Sequence, residues 1–196
     1  MPTEERLNKV RRVVNNRHHG VIVLEDIHDL HNASAVYRSA DAFGLQEVHL
    51  IFVEETPFDP REQGKISSAS ANRWLYFQIH DSTERCLTQL KEDGYTLFAT
   101  ALDPTAESIY DVRFDTNEKV ALLLGNERRG LSESALQLAD RHLYIPMRGM
   151  IHSLNLSVTA AVCLFEMTRQ RLNAGMERFS LSVDEQRNLE ARMLER

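Results

Sequence analysis

Short apolar runs alternate along this chain with longer segments in which apolar residues recur at every third or fourth position. The short runs are rich in Val, Ile and Leu and predict buried strands, whereas the longer segments predict amphipathic helices. The predicted strands are residues 21–24, 48–53, 74–79, 97–99, 120–124 and 142–145. The predicted helices are residues 4–17, 33–43, 82–93, 132–139, 155–173 and 182–195. This alternation indicates an α/β fold with a largely parallel sheet.

Length and composition are those of a soluble globular chain. It has 196 residues, of which 42% are hydrophobic and 27% charged. No apolar run approaches the ~18 residues that a membrane span needs, and the polar N-terminus is not a secretory signal. Neither cysteine, Cys86 or Cys163, lies in a CxxC pattern, and the apolar surroundings of Cys163 predict a buried thiol. We therefore expect a cytoplasmic protein without disulfides or structural zinc.

The charge distribution changes this picture more than the total charge does. A net charge of −6 argues mildly against nucleic-acid binding. However, basic and histidine side chains crowd the N-terminal segment, namely Arg6, Lys9, Arg11, Arg12, Arg17, His18 and His19. A local basic surface can exist on an acidic protein. The predicted helix 4–17 is therefore either a solvated surface helix or an arm that contacts RNA.

Several common kinds of site are absent from the sequence. No two glycines are separated by a single residue, so the GxGxxG pattern of dinucleotide-binding folds is missing, and so is a phosphate-binding P-loop. The histidines at positions 18, 19, 28 and 31 are not part of a carboxylate-histidine helix motif. We expect no metal.

Three separated stretches combine small, polar and glycine residues at predicted strand ends and helix starts. They are NASAVYRSADAFG at residues 32–44, LGNERRGLS at 124–132, and IPM at 145–147 followed by SLNLS at 153–157. Taken alone, the stretch that begins at Ile145 is most simply a loop that leads into a core helix, and Asn32 is a candidate helix cap. Trp74 is interpreted as a core residue rather than as a platform for base stacking.

Together and in this order, the three stretches resemble the signature motifs of the SpoU, or TrmH-type, branch of the SPOUT RNA methyltransferases. The resemblance extends over about residues 21–172. It implies a methyltransferase domain at residues 20–174, with helices on both sheet faces and a trefoil knot at about 120–172. Residues 1–19 and 175–196 would be helical extensions. It also implies a homodimer, S-adenosyl-L-methionine as cofactor and tRNA as substrate.

In this family the cofactor is held mainly by backbone groups. The stretches that match place the cofactor-binding site at Thr100, Leu102, Gly125, Asn126, Ile145, Met147, Met150, Ser153 and Leu154. Ile145 and Leu154 would flank the adenine ring. Glycines and strand ends are also where a backbone can approach a ligand closely.

The resemblance assigns catalysis to Arg38 together with Asn32, Glu127, Ser153 and Asn155. It casts the arginine as the group that activates a ribose 2'-hydroxyl with help from a phosphate. A guanidinium stays protonated, so we interpret Arg38 as a two-point phosphate donor that aligns the hydroxyl. Without the resemblance, Arg38 would be a surface ion-pair partner of Asp41 or Glu127. The residues expected to contact RNA are Arg11, Arg12, Arg17, Arg38 and Arg128.

The sequence therefore predicts an RNA 2'-O-methyltransferase, closest in pattern to the enzymes that modify a guanosine in the tRNA D-loop. Two alternatives stay open. One is methylation of rRNA or of another tRNA position by the same fold. The other is an RNA-binding relative that has lost catalysis.

Overall fold

The computed structural model describes residues 2–63 and 71–195. Its strands are β1 Val21–Glu25, β2 Glu47–Ile51, β3 Tyr76–His80, β4 Thr96–Thr100, β5 Glu107–Ser108, β6 Val120–Leu124 and β7 Arg141–Tyr144. Its α-helices are α1 Glu4–Asn15, α2 Leu30–Ala42, α3 Pro60–Gln63, α4 Thr83–Glu92, α5 Glu133–Leu138, α6 Leu156–Ala174 and α7 Val183–Glu195. Short 3-10 helices occupy Ala71–Arg73 and Met176–Phe179.

The seven strands described above form one sheet in the order β3-β2-β1-β6-β4-β7-β5, and every pairing is parallel. The predicted α/β fold with a parallel sheet is confirmed. β1 lies between β2 and β6, with Val21 opposite Glu47 on one side and Ala121 on the other. All five β1 residues are buried, as expected for a strand covered on both faces.

Helices cover both faces of the sheet. Ile22 and Leu24 of β1 belong to a cluster that includes apolar residues of α2 and α6. Val21 and Val23, which point to the opposite face, belong to a second cluster with residues of α4 and α5. The alternation of side chains along a strand thus divides the core into two layers.

The differences from the sequence prediction include β5 and the start of α2. β5 was not predicted, because a two-residue strand of Glu107 and Ser108 has no apolar pattern. Helix α2 begins earlier than expected, and its cap is Asp29 rather than Asn32. The Asp29 side chain accepts a hydrogen bond from the His31 backbone N–H, and Asn32 lies within the first turn.

The two predicted terminal extensions pack against each other. Val10 and Val14 of α1 meet Leu189 and Met193 of α7 in a small apolar cluster. Trp74 packs against this cluster but is only half-buried, so it lies at the edge of the core and not within it as predicted.

A buried arginine ties the N-terminal segment to the end of α6. Arg171 is fully buried and donates a hydrogen bond to Nδ1 of His18 at 2.7 Å and another to the Glu118 carbonyl at 3.1 Å. Its guanidinium lies 4.7 Å from the centre of the Phe179 ring. Burial and then the charge of Arg171 lower the pKa of His18 to about 4.

Both cysteines are free and buried, as predicted for Cys163. In the described part of the chain, no helix is long and apolar enough to cross a membrane. The trefoil knot at about residues 120–172 stays a prediction, because strand order alone does not describe how the chain is threaded.

Candidate active site

A cleft of about 720 Å³ lies at the carboxyl ends of β4, β6 and β7. Ligand sites of open parallel sheets are commonly found at this edge. The sequence-predicted residues that line it are Asn32, Thr100, Leu102, Gly125, Asn126, Glu127, Arg128, Ile145, Met147, Ser153, Leu154 and Asn155. Residues from all three motif stretches therefore meet at one cavity.

Glu127 connects the second motif stretch to the first. Its carboxylate accepts hydrogen bonds from the backbone N–H groups of His28 and Asp29 and from the Asn32 side-chain amide, each at 3.1 Å. A carboxylate that accepts backbone N–H groups at a helix start also complements the positive end of the helix dipole. Glu127 thereby fixes the beginning of α2 against the end of β6.

Asn32 extends this connection to the third stretch. The Asn155 side-chain amide donates to the Asn32 side-chain oxygen at 3.0 Å. Asn155 also caps α6, since its side-chain oxygen accepts from the backbone N–H of Ser157 at 2.8 Å. One chain of hydrogen bonds, Glu127 to Asn32 to Asn155, therefore joins the three stretches.

The turn after β6 requires a glycine at position 125 and uses the side chain of Asn126. The Asn126 side-chain oxygen accepts from the backbone N–H groups of Arg128 and Arg129 at 2.9 and 3.2 Å. Its amide donates to the Asp26 carbonyl at 2.8 Å. A Cβ atom at Gly125 would lie 2.1 Å from the Gly130 carbonyl carbon. This turn can close only on a glycine, and the Asn126 side chain is used to build it.

A family model described as the SpoU rRNA Methylase family matches residues 19–165. The chain belongs to this family. Over 175 residues it is 39% identical to a tRNA (guanosine(18)-2'-O)-methyltransferase of Thermus thermophilus. The matched region covers 89% of this chain and 87% of that protein.

Two solved structures place this SpoU methylase among similar folds. The crystal structure of the A. aeolicus TrmH/SpoU tRNA modifying enzyme has a TM-score of 0.85 and 29% identity, covering 97% of this chain and 95% of that one. The SpoU methyltransferase AviRb of Streptomyces viridochromogenes, in complex with the cofactor AdoMet, has a TM-score of 0.68 and 26% identity. That match covers 88% of this chain and 67% of that one.

Two of the residues predicted for catalysis or cofactor binding in this SpoU methylase lie away from the cleft lining. Met150 is 95% exposed and does not line the cavity. Arg38 is exposed on α2, and it forms no hydrogen bond or ion pair within the described ranges. The alternative in which Arg38 pairs with Asp41 or Glu127 is therefore wrong; Asp41 pairs with Arg17, and Glu127 accepts from the Asp29 backbone N–H.

The predicted RNA contact at Arg17 needs correction. Its side chain is only 2% exposed and pairs with the Asp41 carboxylate. It also donates to the carbonyls of Leu45 at 2.7 Å and Asp41 at 3.0 Å. The guanidinium therefore fastens the N-terminal segment to the end of α2 and is not presented at the surface.

The other predicted RNA contacts differ in their environment. Arg11 is largely exposed and pairs with Glu190 at 2.8 Å. Arg12 and Arg128 are exposed, and neither side chain forms an ion pair in the part of the chain that the structure describes.

The rim of the cleft contains a hydrogen-bonded aspartate and histidine that sequence reasoning missed. Asp103 lines the cavity, and its carboxylate lies 2.8 Å from Nδ1 of His142. The hydrogen bond from the Thr105 hydroxyl, helped by that histidine, lowers the pKa of Asp103. The partners are 39 positions apart, so no local pattern could have revealed them.

A second missed pairing lies beside the turn after β6. Arg129 pairs with Glu55 at 3.1 Å, and Glu55 also lies 2.9 Å from Nδ1 of His28. The hydrogen bond with His28, followed by the charges of His28 and Arg129, lowers the pKa of Glu55. The loop after β2 is thereby linked to the loop that carries Glu127.

Proposed function

We propose that this SpoU methylase is an S-adenosylmethionine-dependent tRNA ribose 2'-O-methyltransferase acting on guanosine 18, the nucleotide named for its Thermus relative. The observation that carries the proposal is the hydrogen-bond chain from Glu127 through Asn32 to Asn155 at the edge of the cleft. This hydrogen-bond chain supports the proposal that the three motif stretches form one active site. The retained polar residues favour an enzyme over an RNA-binding relative without catalysis.

The cleft fits S-adenosylmethionine in size and in chemistry. Its volume of about 720 Å³ lies in the ordinary range of small-ligand sites. Ile145 and Leu154 offer apolar surface for the adenine, while the strand ends at Thr100 and Gly125 offer backbone groups. When bound, the cofactor supplies a methyl group on a positively charged sulfur. The protein's own contribution is then mainly the alignment of the ribose oxygen.

Arg38 is the residue proposed to achieve that alignment. Its side chain is exposed and free of partners within the described residues, so its guanidinium is available to RNA. A planar guanidinium donates two parallel hydrogen bonds to a phosphate. Arg38 would hold the phosphate and fix the neighbouring 2'-hydroxyl, whose proton passes to a phosphate oxygen or to water.

Because Arg38 does not line the cleft of its own chain, we propose that it serves the cleft of a second copy in a homodimer. A groove of about 360 Å³ between α2 and α6 supports this, and it is lined by Ala35, Ser39, Ser157, Val158, Ala161, Val162 and Phe165. Val158 is 46% exposed and Phe165 57%. Large exposed apolar side chains beside a groove mark an interaction surface.

The role of Arg38 can be tested by single-turnover methylation of tRNA at saturating cofactor. Arg38→Ala is expected to lose nearly all turnover while cofactor binding by calorimetry stays intact. Arg38→Lys should recover little at any pH, because an ammonium cannot reproduce the planar two-point contact. Substantial Lys activity that rises with pH would contradict alignment, and wild-type activity of Arg38→Ala would remove the site assignment.

A mixed dimer tests whether Arg38 acts across the interface. Arg38→Ala is mixed and re-equilibrated with Gly125→Ala, a variant designed to disrupt the cleft. If Arg38 acts in its partner, each heterodimer has one intact site, and the mixture should recover roughly a quarter of wild-type activity. If Arg38 acts in its own chain, neither site is intact and activity stays at background.

Substrate identity is tested by mapping 2'-O-methylation on total RNA from a deletion strain, with and without the wild-type gene. Loss of the mark at guanosine 18 of tRNA, and its return with the gene, is the expected outcome. A change confined to rRNA would favour the alternative suggested by the family description. We also propose that the protein acts in the cytoplasm.

A further inference from the structure

Two histidines and a cysteine meet on the half of the sheet away from the cleft. His49 is on β2, His80 ends the neighbouring strand β3, and Cys86 is on α4. Nδ1 of His49 lies 3.0 Å from Nε2 of His80 and 3.8 Å from Sγ of Cys86. All three ligand atoms lie within 4.8 Å of one another, and this is the one group of its kind in the described ranges.

These distances are near those that a tetrahedral metal requires. Zinc binds imidazole nitrogen at about 2.0–2.1 Å and thiolate sulfur at about 2.3 Å, which sets ligand atoms roughly 3.3–3.6 Å apart. The two nitrogens would have to separate by a few tenths of an ångström, and the sulfur would have to approach Nδ1 of His49 by a similar amount. The ligand atoms of His80 and Cys86 lie within 4.8 Å of each other, so that pair would have to close the remaining distance. The His80 side chain is only half-buried, so it has room to turn.

The surroundings of His49 add a second feature of metal sites. Its other ring nitrogen, Nε2, lies 3.5 Å from the Glu47 carboxylate. Glu47 in turn accepts a hydrogen bond from the Gln78 side chain. Metal-bound histidines commonly direct their second nitrogen at a carboxylate, which fixes the ring and raises its basicity.

We propose that His49, His80 and Cys86 bind one zinc ion, with a water as the fourth ligand. On binding, the Cys86 thiol loses its proton to solvent, and each histidine keeps one proton on the nitrogen that faces away from the metal. The ion would join the edge strand β3 to β2 and to α4. This assignment reverses the expectation, drawn from sequence spacing, that the protein has no metal.

The test uses untagged full-length protein, dialysed against a chelator and then supplied with zinc sulfate. Wild type should retain about one zinc per chain by elemental analysis after removal of excess. Cys86→Ser should lose it. Cys163→Ser is the matched control, because Cys163 is equally buried but lies in the other core layer, and it should retain the ion.

Two further measurements keep the test informative if Cys86→Ser folds poorly. Cobalt added to wild type should give a sulfur-to-cobalt charge-transfer band, and His80→Gln should weaken that band. Zinc at a hundred times its dissociation constant should raise the melting temperature of wild type by about 5–10 °C. No retained zinc, equal zinc in wild type and Cys86→Ser, or no sulfur band would overturn the proposal and leave a hydrogen-bonded histidine pair.

Discussion

Replacing His18 with glutamine should remove one specific source of acid sensitivity. His18 is 2% exposed and holds both ring nitrogens in hydrogen bonds. Nδ1 accepts from Arg171 at 2.7 Å, so Nε2 carries the proton and donates to the Phe43 carbonyl at 2.7 Å. A second proton would have to displace the Arg171 hydrogen bond inside a buried site.

The size of the effect follows from the pKa difference. Folding lowers the pKa of His18 from 6.5 to about 4, chiefly by burial and next by the charge of Arg171. Between these values the unfolded chain binds a proton that the folded chain does not, so stability falls as pH falls. A difference of about 2.5 pH units at 1.36 kcal/mol per unit gives about 3 kcal/mol, lost between pH 6.5 and 4.

Urea unfolding followed by circular dichroism across this pH range measures the effect. Protein concentration must be constant, because dimerisation would contribute to stability. His18→Gln should show a shallower fall in unfolding free energy than wild type, whatever its stability at neutral pH. The slope difference isolates His18 from His19 and His80, whose pKa values are also lowered by burial. Identical slopes, or an NMR titration of native His18 near its ordinary pKa, would refute the reasoning.

Two other changes give equally direct tests. Gly125→Ala should destabilise the fold by about 1–3 kcal/mol or more and abolish cofactor binding by calorimetry, because its Cβ would collide with Gly130. Gly149→Ala is the matched control for stability, since its Cβ would meet no described atom within 4 Å. Charge reversal at Arg11 and Arg12 should weaken tRNA affinity, leave cofactor affinity unchanged and flatten the salt dependence by about one unit of slope per lost phosphate contact. An unchanged slope would show that these residues are only a solvated helix face.

The strands were predictable because a strand that is buried on both faces consists almost entirely of apolar residues. The run at Val120–Leu124 is apolar throughout and was predicted with its observed bounds. β5 has no such apolar run, and its two residues form a strand only because they lie beside β7.

Charged residues were harder to predict, because their partners are distant in sequence. Arg17 looked like part of a basic surface, yet it pairs with Asp41, 24 positions later. Arg17 is buried because the end of α2 packs against it. The N-terminal sequence gives no information about the position of that helix end. The histidine and cysteine cluster was missed for the same reason, since His49 and His80 are 31 positions apart and share no motif.

The candidate site shows what the motif comparison provided and what it left out. The resemblance assigned Asn32, Glu127 and Asn155 to one site, and all three line the same cleft, although residue spacing alone could not bring them together. It did not indicate that Asn32 would bridge the other two rather than cap α2. Asp29 is the better cap because it precedes the helix, which leaves the Asn32 amide free for Glu127.

Helix α6 is fixed at both ends by residues from remote parts of the chain. At its start Asn155 contacts Asn32, 123 positions away, and near its end Arg171 contacts His18, 153 positions away. Between these points α6 carries the exposed Val158 and Phe165 of the proposed dimer groove. An arginine that acts in a partner's cleft must be held at a fixed distance from it, because misplacement of a positioning group by about 1 Å can cost roughly a hundredfold in rate. These hydrogen bonds hold α6 in place relative to the cleft at its start and to the N-terminal segment at its end, as the proposed catalysis across a dimer interface would require.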